Sequence, residues 1–239
     1  MPIQIDRVLQ KSFRGSPPFS FVATKGAAHP DADHASWWTF EDEQEVRDRW
    51  WHPRAGETVL DVGAAFGSYA LPALALGARV VCFSPADFDT ELLELNLAQN
   101  PDLARRCMVV RDGLFSRDGF FEPNVCRFID QATMNGTTVS ASDQWLSVRA
   151  LDSFLAERPG IARVDWIKLD VEGAELEVLK GAGRCLRSDR PTVLAECHEQ
   201  HIPGIANQVN DYLAGLGVGY RGEGPVPHGV VSHAIFRAR

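Results

Sequence analysis

The sequence predicts an open α/β fold in which helices cover both faces of a mostly parallel sheet. Three observations predict it. From Glu57 onward, short apolar runs alternate with Ala/Leu-rich stretches. The runs follow one another at the short spacing of strand–helix–strand units. Gly63 and Gly67 fall between the first run and the helix after it, where a small-residue turn is expected.

The elements can be justified in order. Residues 1–30 read as irregular, broken by Ser16-Pro17-Pro18 and Gly26. Residues 31–53 hold four of the six tryptophans. Ser36 is placed to cap a helix there, and Pro53 with Gly56 ends it. Such aromatics either fill the core or wall a substrate pocket. Residues 1–53 are therefore read as an aromatic-rich cap or lid, and 54–239 as the main domain. In that domain, 58–62 is a strand, 68–76 a helix and 79–83 a strand. A helix at 89–100 is capped by Asp89 and stopped by Pro101, and 107–111 is a third strand. Residues 113–150 read as an extended insert with a hairpin at Asn135-Gly136. A short helix at 151–157 follows. Strands at 165–170 and 192–196 flank a helix at 174–180. Ile205, Val209, Leu213 and Leu216 share one face of a helix at 204–216, and 230–237 is the last strand.

Composition excludes several classes. Hydrophobic residues make up 45% of the 239, enough for a sizeable core. The net charge of −8 and the absence of a Lys/Arg run argue against nucleic acid or an anionic membrane as partner. No apolar run is long enough to span a bilayer, and the first twenty residues lack a signal-peptide core. Five scattered cysteines without a Cys-x-x-Cys pair suit reduced thiols and a cytoplasmic setting.

Two stretches carry chemistry. In "DVGAAFG" (61–67) the pattern is Asp61-x-Gly63-x-x-x-Gly67, with Ala65 where a dinucleotide fingerprint has its middle glycine. An acidic residue opening the turn favours a ligand bearing an ammonium group over one bearing a diphosphate. In "IKLDVEGAELEVLKGA" (167–182), Asp170 ends a strand and Glu172 lies two residues on, facing the same way if the backbone stays extended. Ligands of open α/β sheets bind beyond the carboxyl ends of strands, so both carboxylates should share a crevice with Gly63. They suit a general base and its orienter, or, with Glu196 from "LAECH", oxygen ligands for a divalent cation such as Mg²⁺. His198 follows Glu196 and is a natural proton acceptor near neutral pH.

Together these motifs resemble the FkbM family of S-adenosylmethionine-dependent methyltransferases, mostly O-methyltransferases. The likeness rests on "DVGAAFG", on "LDS" at 151–153, on the block at 167–182 and on "LAECH" at 194–198. It implies the class I methyltransferase fold: a Rossmann-like three-layer sandwich whose seven-stranded sheet has an antiparallel last strand. It implies that Asp61, Gly63, Ala64, Phe66 and Gly67 line the amino-acid end of S-adenosylmethionine. Asp112 would lie near the adenine, and Asp170 and Glu172 would face the transferred methyl and the substrate hydroxyl. Ser84 stands where the family has a ribose-binding Glu, so its hydroxyl can make one contact, and Asp87 or Asp89 would supply the charge. The expected substrate is a hydroxylated small molecule, a sugar or natural-product intermediate. A homodimer is compatible with this reading. The competing readings are a non-catalytic protein on the same fold and a nucleotide-dependent oxidoreductase.

Overall fold

The computed structural model describes residues 5–24, 43–121, 146–228 and 231–239. Ser36, Trp37, Trp38, the Asn135-Gly136 turn and Trp145 lie outside them. The chain opens with an antiparallel hairpin, β1 (Ile5–Lys11) and β2 (Phe19–Thr24), where the sequence reads as irregular. Helix α1 (Gln44–Trp50) follows. Then come β3 (Thr58–Val62), α2 (Ala70–Ala75), β4 (Arg79–Phe83) and α3 (Asp87–Ala98). Pro101 does not simply stop α3. It opens a further turn, α4 (Pro101–Ala104), at the first helical position, where the missing N–H costs nothing. Next are β5 (Cys107–Val110) and a small sheet of β6 (Gly113–Leu114), β7 (Gly119–Phe121) and β8 (Leu146–Arg149). The second half holds α5 (Leu151–Ala156), β9 (Trp166–Leu169), α6 (Glu175–Lys180), α7 (Gly183–Ser188), β10 (Thr192–Cys197), α8 (Ile205–Gly215), β11 (Arg221–His228) and β12 (Val231–Arg237).

The main sheet has seven strands in the order β11-β12-β10-β9-β3-β4-β5. β3, β4, β5, β9 and β10 run parallel, and β12 is antiparallel to both neighbours. β11 is the strand that sequence missed, because its Gly-Pro-rich run RGEGPVPH lacks apolar alternation. All five residues of β3 are buried, as expected of a parallel strand covered on both sides. Side chains alternate between two cores. Leu60, Val62, Val81, Phe83, Ile167 and Leu169 meet α5 to α8 on one face. Val59, Val80, Cys82, Trp166, Leu194 and Ile235 meet α1 to α3 and the hairpin on the other. Trp50 and Trp51 belong to that second core, with Trp51 edge-on to Tyr69 and Trp166. Among the described residues, no helix is long and apolar enough to cross a membrane.

Asn96 on α3 and Asn100, at the start of α4, hold the hairpin. Asn96 accepts from the Val22 N–H at 2.7 Å and donates to the Phe66 carbonyl at 2.9 Å. Asn100 accepts from the Ser20 N–H and donates to the Ser20 carbonyl, both at 2.7 Å. Asn96 is fully buried, so Asn96→Ala strands a donor and an acceptor away from water. We expect it to lower unfolding free energy by about 2–3 kcal/mol, measured by urea denaturation. A loss below about 0.5 kcal/mol, the level of an ordinary surface change, would show that these groups find other partners.

Candidate active site

The parallel strands end level with one another: Val62 pairs with Phe83 and Leu169, and Leu169 with Ala195. The turns that follow them therefore share one edge. After β3 the chain builds β4 and β5 on one side, then returns to build β9 and β10 on the other. The gap between β3 and β9 is the switch point, where open α/β sheets bind ligands.

Both motifs from the sequence meet in that gap. Gly63 has φ +80°, and a Cβ there would stand 1.7 Å from the Asp170 carbonyl oxygen. The glycine turn and the carboxylate turn thus touch backbone to backbone. The N–H groups of Gly63 and Ala64 donate to the Phe83 carbonyl at 2.9 and 3.1 Å, and that of Gly67 to Ala64 at 2.8 Å. Ala65 lies in the left-handed region at φ 44° without being glycine. Phe66 stands edge-on to Phe21 at 5.7 Å. Beneath the turn, Asp61 is 2% exposed and its Oδ2 has no hydrogen-bond partner. Burial pushes its carboxyl up to about 7, against the pull of Lys168.

Ser84 is buried. Its N–H donates to Val110 at 3.0 Å and its carbonyl accepts from Thr90 Oγ1 at 2.7 Å. Of the two acidic residues beyond it, Asp87 is exposed and pairs with Arg111 at 3.4 Å. Asp89 is partly buried and raised to about 6, by burial and by the charges of Asp170 and Glu172, which places it on the crevice side. It does not cap α3, whose N-cap is Ala86. Asp112 follows the edge strand β5, where its charge reaches Arg149. Asp152 of "LDS" is structural: its carboxylate accepts from the Arg184 and Cys185 N–H groups at 2.6 and 2.9 Å.

At the carboxylate turn the backbone does not stay extended. Glu172 has φ 52° and Gly173 φ 102°. The chain doubles back, and both carboxylates still reach one ring nitrogen. His198 Nε2 lies 3.6 Å from Asp170 Oδ1, 3.4 Å from Glu172 Oε2 and 3.7 Å from Glu196 Oε1. Its Nδ1 is 2.7 Å from Oε1 of Glu175, a fully buried residue of α6. His201 stacks on His198 and holds Glu172 Oε2 at 3.0 Å. Lys168, 1% exposed, stands 3.4 Å from Asp170 Oδ2 and 3.8 Å from Glu196 Oε2, with Nζ 4.5 Å from the Tyr69 ring centre. Glu196 Oε2 also faces His233 at 3.3 Å. His233 is 3.4 Å from Glu43, which accepts from the Tyr69 hydroxyl at 2.5 Å.

Strand alternation explains this row. Asp61, Lys168, Glu196 and His233 each lie two residues from an apolar member of the second core, so all four face the α1 side. Burial alone would keep His198 neutral. The hydrogen bond to Glu175 and the charges of Asp170 and Glu172 outweigh it and raise the imidazole to about 9. That shift favours the protonated imidazole. Burial raises Glu172, and takes Glu196 to about 7 with help from Asp170. His233 is held near 9 by Glu196 and Glu43 despite burial.

The metal-ligating trio expected from sequence, Asp170, Glu172 and Glu196, is rearranged. Ligand atoms of Asp170, Glu172 and His198 gather within 4.8 Å, while Glu196 groups with Glu43 and His233. Sequence reasoning missed Lys168, Glu175, Glu43, Tyr69 and His233. Lys168 alone left a signal, a lysine inside an apolar strand.

A family model described as the methyltransferase FkbM domain matches residues 61–221. The chain belongs to the FkbM methyltransferase family. The crystal structure of methyltransferase FkbM from Methylobacillus flagellatus KT shares 18% identity with this FkbM chain, at TM-score 0.61 over 81% of it. The matched part is 47% of the Methylobacillus chain, so the present chain spans about half that protein's length. The precorrin-6y C5,15-methyltransferase from Geobacter metallireducens GS-15 is 15% identical, at TM-score 0.51 over 81% of this chain and 87% of its own. These likenesses show the class I methyltransferase fold. No curated protein matches the sequence.

Proposed function

We propose that this FkbM protein transfers the methyl group of S-adenosylmethionine to a hydroxyl oxygen of a small uncharged molecule, such as a sugar or a natural-product intermediate. One observation carries the reading: the Gly63 turn lies on the Asp170 carbonyl, above a buried Asp61 oxygen that lacks a partner. The space a Cβ would fill brings donor turn and carboxylate turn together, and Asp61 offers a negative partner for an ammonium group. Residues 63–67 would hold the amino-acid end, Ser84 and Asp89 the ribose, and Asp112 the side of the adenine.

When bound, the donor supplies an electrophilic methyl on a sulfonium, which becomes a thioether as the carbon–oxygen bond forms. The chain's own residues position the acceptor and take its proton. Glu172, half-exposed at the mouth and steadied by His201, is placed to receive the hydroxyl proton. Asp170, fixed by Lys168, orients that hydroxyl. A crevice so rich in carboxylates disfavours anionic acceptors, hence the uncharged class.

Titration with S-adenosylmethionine tests the donor. We expect micromolar binding at pH 8. Asp61 titrates near 7 in the free site, above its ordinary value, and a cationic donor favours its ionised form. Affinity should therefore fall as pH drops through 7, by about tenfold per unit below it. Absence of binding at pH 8 would sink the reading. For the chemical step, Asp170→Asn should lower turnover about 100-fold or more, the scale of losing a positioned acid–base group. Wild-type turnover would remove Asp170 from the machinery.

A further inference from the structure

Five carboxylates, Glu43, Asp170, Glu172, Glu175 and Glu196, are tied by ion pairs to one lysine and three imidazoles. With every group ionised the cluster carries one excess negative charge; His198 and Glu175 are buried, and Asp170 and Glu172 stand partly exposed at its mouth. A bound cation relieves such an excess, as does a proton on one of the carboxylates.

The shape of one corner says where. His198 is 2% exposed. Its Nδ1 is engaged by the buried Glu175 at 2.7 Å, which leaves Nε2 facing Asp170 and Glu172, with Glu196 Oε1 slightly farther at 3.7 Å. The separations of 3.6 and 3.4 Å exceed hydrogen-bond length. The 3.4 Å separation falls within, and the 3.6 Å separation just beyond, the distance between two ligands of one ion: metal bonds of about 2.1 Å at 90–109° place neighbouring donors about 3.0–3.5 Å apart. Outer partners are also in place. Glu175 fixes the ring of His198, and His201 fixes Glu172 Oε2 at 3.0 Å, as carboxylate–histidine pairs do behind metal ligands.

We propose that Asp170, Glu172 and His198 form a binding site for a divalent first-row transition-metal ion. One imidazole nitrogen beside two carboxylates favours Mn²⁺, Fe²⁺ or Zn²⁺ over Mg²⁺, which prefers oxygen alone. This replaces both the Mg²⁺ and the three-carboxylate set read from sequence. The site stands independently of the methyl-transfer reading. What the ion does there, holding the acceptor oxygen beside the donor turn and making its proton more acidic, rests on that reading.

The test is calorimetry and Mn²⁺ electron paramagnetic resonance on chelator-stripped full-length protein. We expect one Mn²⁺ bound with micromolar Kd, and Mg²⁺ bound at least tenfold more weakly. Glu175→Gln keeps all three ligands, and we expect it to weaken Mn²⁺ about 10–100-fold. His198→Ala should weaken it at least tenfold, with circular dichroism confirming the fold. If either variant fails to fold, the wild-type titration still decides. No Mn²⁺ uptake up to millimolar, with or without S-adenosylmethionine, overturns the site. So does an equal preference for Mg²⁺, or unchanged affinity in a folded His198→Ala. Mn²⁺ uptake without methyl-donor binding would keep the site and sink the methyl-transfer reading. Donor binding without Mn²⁺ uptake would do the reverse.

Discussion

Gly63→Ala should abolish methyl-donor binding and destabilise the chain by several kcal/mol. The added methyl would meet the Asp170 carbonyl oxygen at 1.7 Å, far inside van der Waals contact. Neither side is a flexible side chain that can swing away. Gly63 is fixed through its N–H to the Phe83 carbonyl, and Asp170 through its N–H to the Val62 carbonyl at 3.0 Å. The residue also sits at φ +80°, which costs a non-glycine residue about 1–2 kcal/mol by itself. Relief requires the β3 and β9 turns to part, and that parting breaks the crevice. Thermal denaturation and donor titration check the result together. An alanine variant with parental Tm and affinity would mean that the two turns are separable and the crevice is built otherwise.

Lys168→Met should cost about 3–5 kcal/mol, the range for removing one partner of a buried ion pair. Lys168 is almost wholly inaccessible, yet Asp170, Glu43, Glu196 and Asp61 keep it charged against the cost of burial. Methionine fills similar space but leaves those carboxylates facing one another. Two-state urea unfolding measures the loss. Adding Glu196→Gln to the variant should recover part of it, because the second change removes a carboxylate that opposes the charge of Asp170 once the lysine is gone. Equal losses in the single and double variants would show that Lys168 acts by filling space.

The parallel sheet was legible because its central strands are buried on both faces and read as apolar runs such as TVLDV and RVVCF. The hairpin at the start was not. Its residues IDRVLQK gain order from pairing with β2 and from the side chains of Asn96 and Asn100, some 75 residues away in sequence for Val22 and Asn96. The carboxylates of 170 and 172 were legible as belonging beside Gly63, because strand ends and glycine turns face the same edge. Their orientation was not, since the left-handed backbone at Glu172 has no local signature in Val-Glu-Gly. Glu175 and His233 were hidden for another reason. A titratable residue on a helix or an antiparallel strand looks like a solvated one until the fold buries it.

The Asn96 side chain joins a residue near the start of the chain to the carbonyl of Phe66, inside the donor turn. The stretch that matches the family begins only at Asp61, while Trp51, ahead of it, is seated against Tyr69 and Trp166. Ancestry and mechanics thus draw different borders on this protein. Excising the recognisable homology block would remove a strut of the very loop that makes it recognisable, so fragments meant for assay should keep the residues from Ile5 onward.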